Sequence, residues 1–132
     1  MTIHVFALCK NDYFIRSIEF YLNRNNIILT GVGTRHDRAL DDFAACTPAP
    51  DIILLDAHWQ PFQTSGPTLT RQFLQRTNAK VILVTNYFEK TIYKNLRQYG
   101  AHGYFFRDAP GADTIIRCIQ NVYLGQHTFL AA

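Results

Sequence analysis

The chain reads as an α/β domain, a doubly wound (βα)5 unit whose five parallel strands run in the order 2-1-3-4-5. Three observations predict it. Short apolar runs, among them Ile52-Ile53-Leu54-Leu55 and Val81-Ile82-Leu83-Val84, lack the polar alternation of a strand with one wet face. Between the runs lie stretches of helix length with apolar residues three and four apart. Crossovers of that length between parallel strands are right-handed, which leaves few topologies.

The elements follow in order. Ile3 to Leu8 is the first strand, and Tyr13 to Leu22 a helix with Phe14, Ile18, Tyr21 and Leu22 inward and Asp12 as N-cap. Ile27 to Val32 is the second strand, ended by Gly31-Val32-Gly33. Asp37 to Cys46 is a helix with Ala39, Leu40, Phe43 and Ala44 inward, closed by Pro48 and Pro50. Ile52 to Leu55 is the third strand and Pro67 to Arg76 a helix bearing Leu69, Phe73 and Leu74. Val81 to Val84, then a helix from Glu89 to Tyr99 capped by Gly100, form the fourth unit. His102 to Phe106 and a helix from Ala112 to Leu124, capped by Gly125, form the fifth.

Composition narrows the function. With 132 residues, 48% hydrophobic and 17% charged, residues 1–132 read as one globular domain with a real core. The formal charge of +3 comes from basic residues scattered singly, not from a nucleic-acid stripe. Cys9, Cys46 and Cys118 are an odd number with no C-x-x-C pair, which fits a reducing cytoplasm and gives no disulfide framework. The five histidines show no ligand spacing, and Asp41-Asp42 read as a solvated helix face. No apolar run has membrane-spanning length, and Met1-Thr2-Ile3-His4 is no signal-peptide start.

Chemistry concentrates at three strand ends. Asp56 closes the third strand, Thr85 the fourth, and Arg107 follows the fifth. Open α/β sheets hold ligands at the carboxyl ends of their strands, beside the switch between strands one and three. A carboxylate closing a buried strand costs desolvation energy unless its charge is bound. Acid, hydroxyl and cation there make a phosphoryl-type site.

The stretch Gly100-Ala101-His102-Gly103-Tyr104-Phe105-Phe106-Arg107-Asp108-Ala109 resembles the G-A-x-G-Y-L-L-K-D-A of response-regulator receiver domains. The likeness is greatest to the NarL/FixJ type and continues through Thr114 to Ile119 and Leu124-Gly125-Gln126. With Asp51 to Asp56 and Val81 to Thr85 it spans nearly the whole chain. It implies the CheY-like, flavodoxin-like fold. It also implies that Asp56 falls on the phosphoacceptor, Thr85 on the switch hydroxyl, Tyr104 on the aromatic that moves between exposed and buried rotamers, and Arg107 on the family's lysine.

The departures gather at the same site. Where the family carries the acidic pair that holds Mg²⁺, this chain has Cys9 and Lys10. Mg²⁺ needs hard oxygen ligands, and a thiol with an ammonium supplies none. Lys10 is expected at ion-pair distance from Asp56. Arg107 for lysine exchanges a compact point charge for a planar fork. After Asp56 the sequence runs Ala57-His58-Trp59-Gln60-Pro61 with its first glycine at Gly66. Proline and glycine come one and two residues later than in the family, His58 and Trp59 are bulky, and Asn86 replaces a small residue.

The reading is therefore an atypical receiver, not an enzyme, with metal-dependent phosphorylation lost or impaired and no cofactor. A phosphorylation-competent receiver using Asp56 and Mg²⁺ is the alternative. A phosphatase using Cys9 is remote, because six residues rather than five separate Cys9 from Arg16 and none of them is glycine. The resemblance implies a protein partner or self-association through the fourth helix, fifth strand and fifth helix. DNA contact would belong to a helix-turn-helix domain after residue 132, if the module does not stand alone.

Overall fold

Whichever way a residue of the central strands points, it meets an apolar layer. The computed structural model describes residues 1–57, 66–85, 96–107 and 112–129, with Lys90 and Lys94 as helical positions. Its strands are β1 (Ile3–Leu8), β2 (Ile27–Gly33), β3 (Ile52–Asp56), β4 (Lys80–Thr85), β5 (Gly103–Phe106) and β6 (Thr128–Phe129). Its helices are α1 (Tyr13–Arg24), α2 (Ala39–Ala44), α3 (Gly66–Arg76), α4 (Leu96–Tyr99) and α5 (Ala112–Tyr123).

The sheet order is β2-β1-β3-β4-β5-β6 with every pair parallel, so strands one to five lie in the expected 2-1-3-4-5 order. Val5, Ala7, Ile52, Leu54, Ile82, Val84 and Phe105 form one layer with Ile15, Ile18 and Leu22 of α1 and Ile115, Ile119 and Val122 of α5. Phe6, Leu8, Ile53, Leu55, Val81, Leu83 and Tyr104 form the other, against Leu69 and Phe73 of α3 and Ala39 of α2. The period of two thus explains the unbroken apolar runs: both faces are covered. Each fully buried side chain of Phe or Leu size contributes about 1.5–3 kcal/mol.

Asp51 aligns the strand starts. Its carboxylate accepts the His4 N–H at 2.9 Å, its N–H reaches the His4 carbonyl at 2.7 Å, and its own carbonyl accepts the Lys80 N–H at 3.0 Å. This fixes β3 between β1 and β4.

Several expectations need correction. Asp12 stands before α1, but its side chain makes no cap; its carboxylate faces Arg16 at 3.5 Å, and Asn11 Oδ1 accepts the Tyr13 N–H at 3.2 Å. Tyr21 is exposed and Ile15 takes the inward position, because the buried stripe is Ile15, Ile18, Leu22. The helix expected over 37–46 is a 3-10 turn at His36–Arg38 followed by the short α2. Arg35 grips Asp37 through two nitrogens at 3.1 and 2.7 Å, and Arg38 leaves helical geometry at φ −114° and ψ 13°. Ala44 is exposed. The expected start of the fourth helix at Glu89 lies outside the described residues. A sixth strand, β6, was not expected; it lies beside β5 with Gly103 opposite Thr128 and Tyr104 opposite Phe129.

Candidate functional site

Strand parity decides how the site is built. Cys9, Asp56 and Arg107 extend the alternation of Val5-Ala7, Ile52-Leu54 and Phe105, so they fall on the α1/α5 side. Thr85 and Tyr104 extend the alternation of Val81-Leu83 and fall on the α3 side. The site therefore straddles the upper edge of the sheet.

Asp56 is the last residue of β3 and is buried. Its Oδ2 accepts the backbone N–H of Lys10 at 2.8 Å, and its Oδ1 is bound by the Arg107 guanidinium. Both side chains of this ion pair are largely closed off, at 10% and 16% exposure. The pair is held in place from behind. The Arg107 backbone N–H donates to the Thr85 carbonyl at 2.8 Å, so its position is set by the end of β4. Its guanidinium carbon lies 5.1 Å from the centre of the Phe14 ring, and Phe14 stacks on Phe105 at 6.1 Å. Arg107 is thus clasped between an aromatic face and a carboxylate, the geometry for which a planar cation is suited.

The ion pair does not fully offset the cost of burial. Burial pushes the Asp56 carboxyl above the ordinary carboxylate range, while Arg107 and the Lys10 N–H pull it back only in part. Cys9 is buried beside it, and burial with the Asp56 charge pushes its thiol up to about 11. Cys9 is therefore a neutral thiol at pH 7, and its sulfur is a soft donor that does not match a hard cation such as Mg²⁺.

On the other side of the sheet edge the Thr85 hydroxyl lies 3.2 Å from the Tyr104 phenol. Both are buried, Tyr104 completely. A cleft of about 50 Å³ lined by Lys10, Asn11, Asp56, Ala57, Val84, Thr85 and Arg107 opens above them.

Lys10 needs a correction. Its side chain is exposed and makes no close ion pair with Asp56; it binds the acid through its backbone N–H, and its ammonium adds only the smallest of the attractions acting there. β1 ends at Leu8, and the chain turns there so that the amide, not the side chain, faces the acid. The cation at Asp56 is Arg107. The part of Phe14 was not foreseen, and only its aromatic type, one turn into α1, hinted at it.

Residues 58–61 and Asn86 lie outside the described residues. The late glycine does have a visible task. Gly66 opens α3 against the acceptor backbone, its N–H reaching the Ala57 carbonyl at 2.9 Å. A Cβ there would stand 2.6 Å from Ala57 Cα and 2.9 Å from the Asp56 carbonyl oxygen, so no larger residue fits.

The donor set does not fit Mg²⁺. Both Asp56 oxygens are engaged by nitrogen donors, and the neighbouring position that should offer a carboxylate offers a neutral thiol. Among the described residues no group of three or more His, Cys, Asp or Glu is placed to hold a metal ion. Also among them, no helix is long and apolar enough to cross a membrane.

No protein-family model and no curated protein sequence matches this chain. Solved structures do. The signal receiver domain of the response regulator NarL from Mycobacterium tuberculosis superposes with a TM-score of 0.80 at 19% identity, covering 95% of this chain and 98% of that one. The non-phosphorylated receiver domain of the stress response regulator RcsB from Escherichia coli gives 0.83 at 10% identity, with 99% and 100% covered. The response regulator ChrA of a heme-sensing two-component system gives 0.73 at 21% identity, covering 98% of this chain but 60% of that one. At such identities the likeness bears on architecture alone, and the architecture is that of the response-regulator receiver domains.

Proposed function

We propose that the chain is a receiver-type signalling module, not an enzyme, in which Arg107 acts as a built-in counter-ion to Asp56 and metal-dependent phosphorylation is lost or strongly impaired. The observation that carries this is the buried ion pair itself. In a phosphorylatable site the acceptor oxygens must be open to a metal and to an incoming phosphoryl group, whose charge the metal neutralises. Here a guanidinium and a backbone N–H occupy them. Tyr104, fully buried against Thr85, supports the second half of the reading: the pair that resembles the family's switch is packed in a closed arrangement.

Output in this reading is protein contact through the surface built on α4, β5 and α5, with a partner protein or a second copy. DNA would be reached only through a further domain; this chain spans 60% of the longer response regulator ChrA. The test is NMR titration with BeF₃⁻ and millimolar Mg²⁺, followed by acetyl phosphate. The amides of Asp56, Thr85 and Arg107 should not move. Saturable shifts centred on them would establish the other reading, a working phosphoacceptor at Asp56.

A further inference from the structure

The strand β6 has two residues, Thr128 and Phe129. The Thr128 N–H donates to the His102 carbonyl at 3.1 Å, next to the register Gly103–Thr128 and Tyr104–Phe129. Gly103 allows the approach, since a Cβ there would stand 3.0 Å from the Thr128 carbonyl oxygen. A two-residue parallel pairing needs side-chain support, and the support is a pair of imidazoles. The ring of His127 lies on the ring of His102 with centroids 5.6 Å apart and planes 14° from parallel.

His102 is also tied to the sheet in one protonation state. Its Nδ1 accepts the backbone N–H of Val81 at 3.3 Å, so Nδ1 must be bare and any proton must sit on Nε2. A second proton would set two donors against each other. It would also place a cation beside His127 and Lys80, the two charged groups acting on His102. Lys80 on β4 is fixed nearby, its Nζ donating to the carbonyls of Val122 and Tyr123 at 3.2 and 3.4 Å. From α5 comes Cys118, whose thiol faces the Thr128 carbonyl at 3.9 Å and, pushed up to about 12 by burial, stays neutral.

We propose that the His102–His127 stack is a proton-sensitive latch that docks β6 on the edge of β5 at neutral pH and releases it in mild acid. Release would bare the backbone edge of Gly103 and Tyr104, a strand edge being a ready template for pairing. The device does not depend on the state of Asp56. The sign follows from the chemistry: burial, then His127 and Lys80, hold His102 below its ordinary value. The docked state thus prefers the neutral ring. Docking is fully present above the ordinary histidine value of about 6.5 and weakens as pH falls below it.

Hydrogen exchange by NMR on the full chain tests this. The protection of the Thr128 amide should fall roughly tenfold between about pH 7.5 and about pH 5.5 after correction for intrinsic rates, while that of Leu54 stays constant. The midpoint should coincide with the titration of the His102 ring. In His127→Phe, which keeps a ring without a second imidazole, the pH dependence of Thr128 should shrink, because burial and Lys80 still act on His102; a Thr128 left unprotected at both pH values would equally show that His127 makes the latch. In His102→Asn, whose amide oxygen can still accept the Val81 N–H, protection should be flat. Equal Thr128 protection at both pH values in the wild type would overturn the proposal. So would a midpoint far from the His102 titration, a pH dependence undiminished in His127→Phe, or one that survives in His102→Asn.

Discussion

The Tyr104 phenol and the Thr85 hydroxyl lie 3.2 Å apart, both closed off from solvent, on the opposite side of the sheet from the Asp56 carboxylate. Strand parity makes this separation unavoidable. The two groups are linked to Asp56 through the end of β4, where the Thr85 carbonyl holds the Arg107 backbone. Arg107 therefore touches both halves of the site.

The first prediction concerns that hydrogen bond. Thr85→Val should leave the Tyr104 hydroxyl buried without this neighbour and cost about 1–3 kcal/mol. Tyr104→Phe should cost less, about 0.5–1.5 kcal/mol, since it removes the hydroxyl contact and keeps the packed ring. The double variant should cost clearly less than the sum, because the two residues share one interaction. Urea unfolding of the four proteins measures it; strict additivity would mean that the contact contributes nothing.

The second concerns the ion pair. Asp56→Ala should destabilise the domain by about 1–3 kcal/mol, the range for breaking a partly buried pair and leaving its cation behind. Arg107→Lys should also be destabilising, because a lysine loses both the fork and the stack on Phe14. Arg107→Lys at wild-type stability would mean that the Phe14 clasp is incidental.

The third is a pH dependence. The Asp56 carboxyl stands above its ordinary value in the folded chain. A group raised on folding gives stability that is fully present below its unfolded value, about 3.9, and is lost as pH rises through the folded one. Arg107 acts in the opposite direction, so Arg107→Ala should push Asp56 up further and widen that window. The stability difference between Arg107→Ala and Arg107→Ala/Asp56→Asn should accordingly grow unfavourable to the carboxyl from about pH 4 to pH 7. A flat difference would show the Asp56 titration to be unaffected by Arg107.

The fourth restores a metal site. Cys9→Asp with Lys10→Asp puts hard oxygens beside Asp56, and adding Arg107→Lys frees the acceptor from the guanidinium fork. The double variant should bind Mg²⁺ weakly and the triple variant more tightly. Without metal both should be less stable than the parent, since carboxylates then crowd one partly buried place. Calorimetry in Mg²⁺ and unfolding in EDTA give the two readouts. Equal Mg²⁺ affinity with and without Arg107→Lys would mean that the arginine does not compete.

Much of this was legible in the residues. The apolar runs fixed the strands because both faces of the sheet are covered, and the strand ends of β3, β4 and β5 place Asp56, Thr85 and Arg107 at one edge. What the residue pattern hid is local. Lys10 meets Asp56 through its amide, a matter of where β1 stops, which side-chain type does not reveal. Phe14 beneath Arg107 depends on the approach of α1 to β5. β6 is too short for any periodicity to announce it, and the stacking of His102 on His127 beside it joins two residues that as single histidines carry no signal.

The last prediction tests whether the module works in one fixed state. If Arg107 permanently supplies the cation at Asp56, then Thr85 and Tyr104 keep their buried arrangement whatever phosphodonor is present. A two-state switch would instead be moved by any ligand with different affinity for its states. Asp56→Ala should then weaken partner binding or self-association only in proportion to its loss of stability, and acetyl phosphate should leave the wild-type complex unchanged. Tyr104 ring signals in NMR and the association constant of the wild type and Asp56→Ala give the comparison. Asp56→Ala that folds normally yet loses its partner, with acetyl phosphate strengthening the wild-type complex, would place a working phosphoryl switch at Asp56. The built-in counter-ion would then be a gate that opens, not a lock.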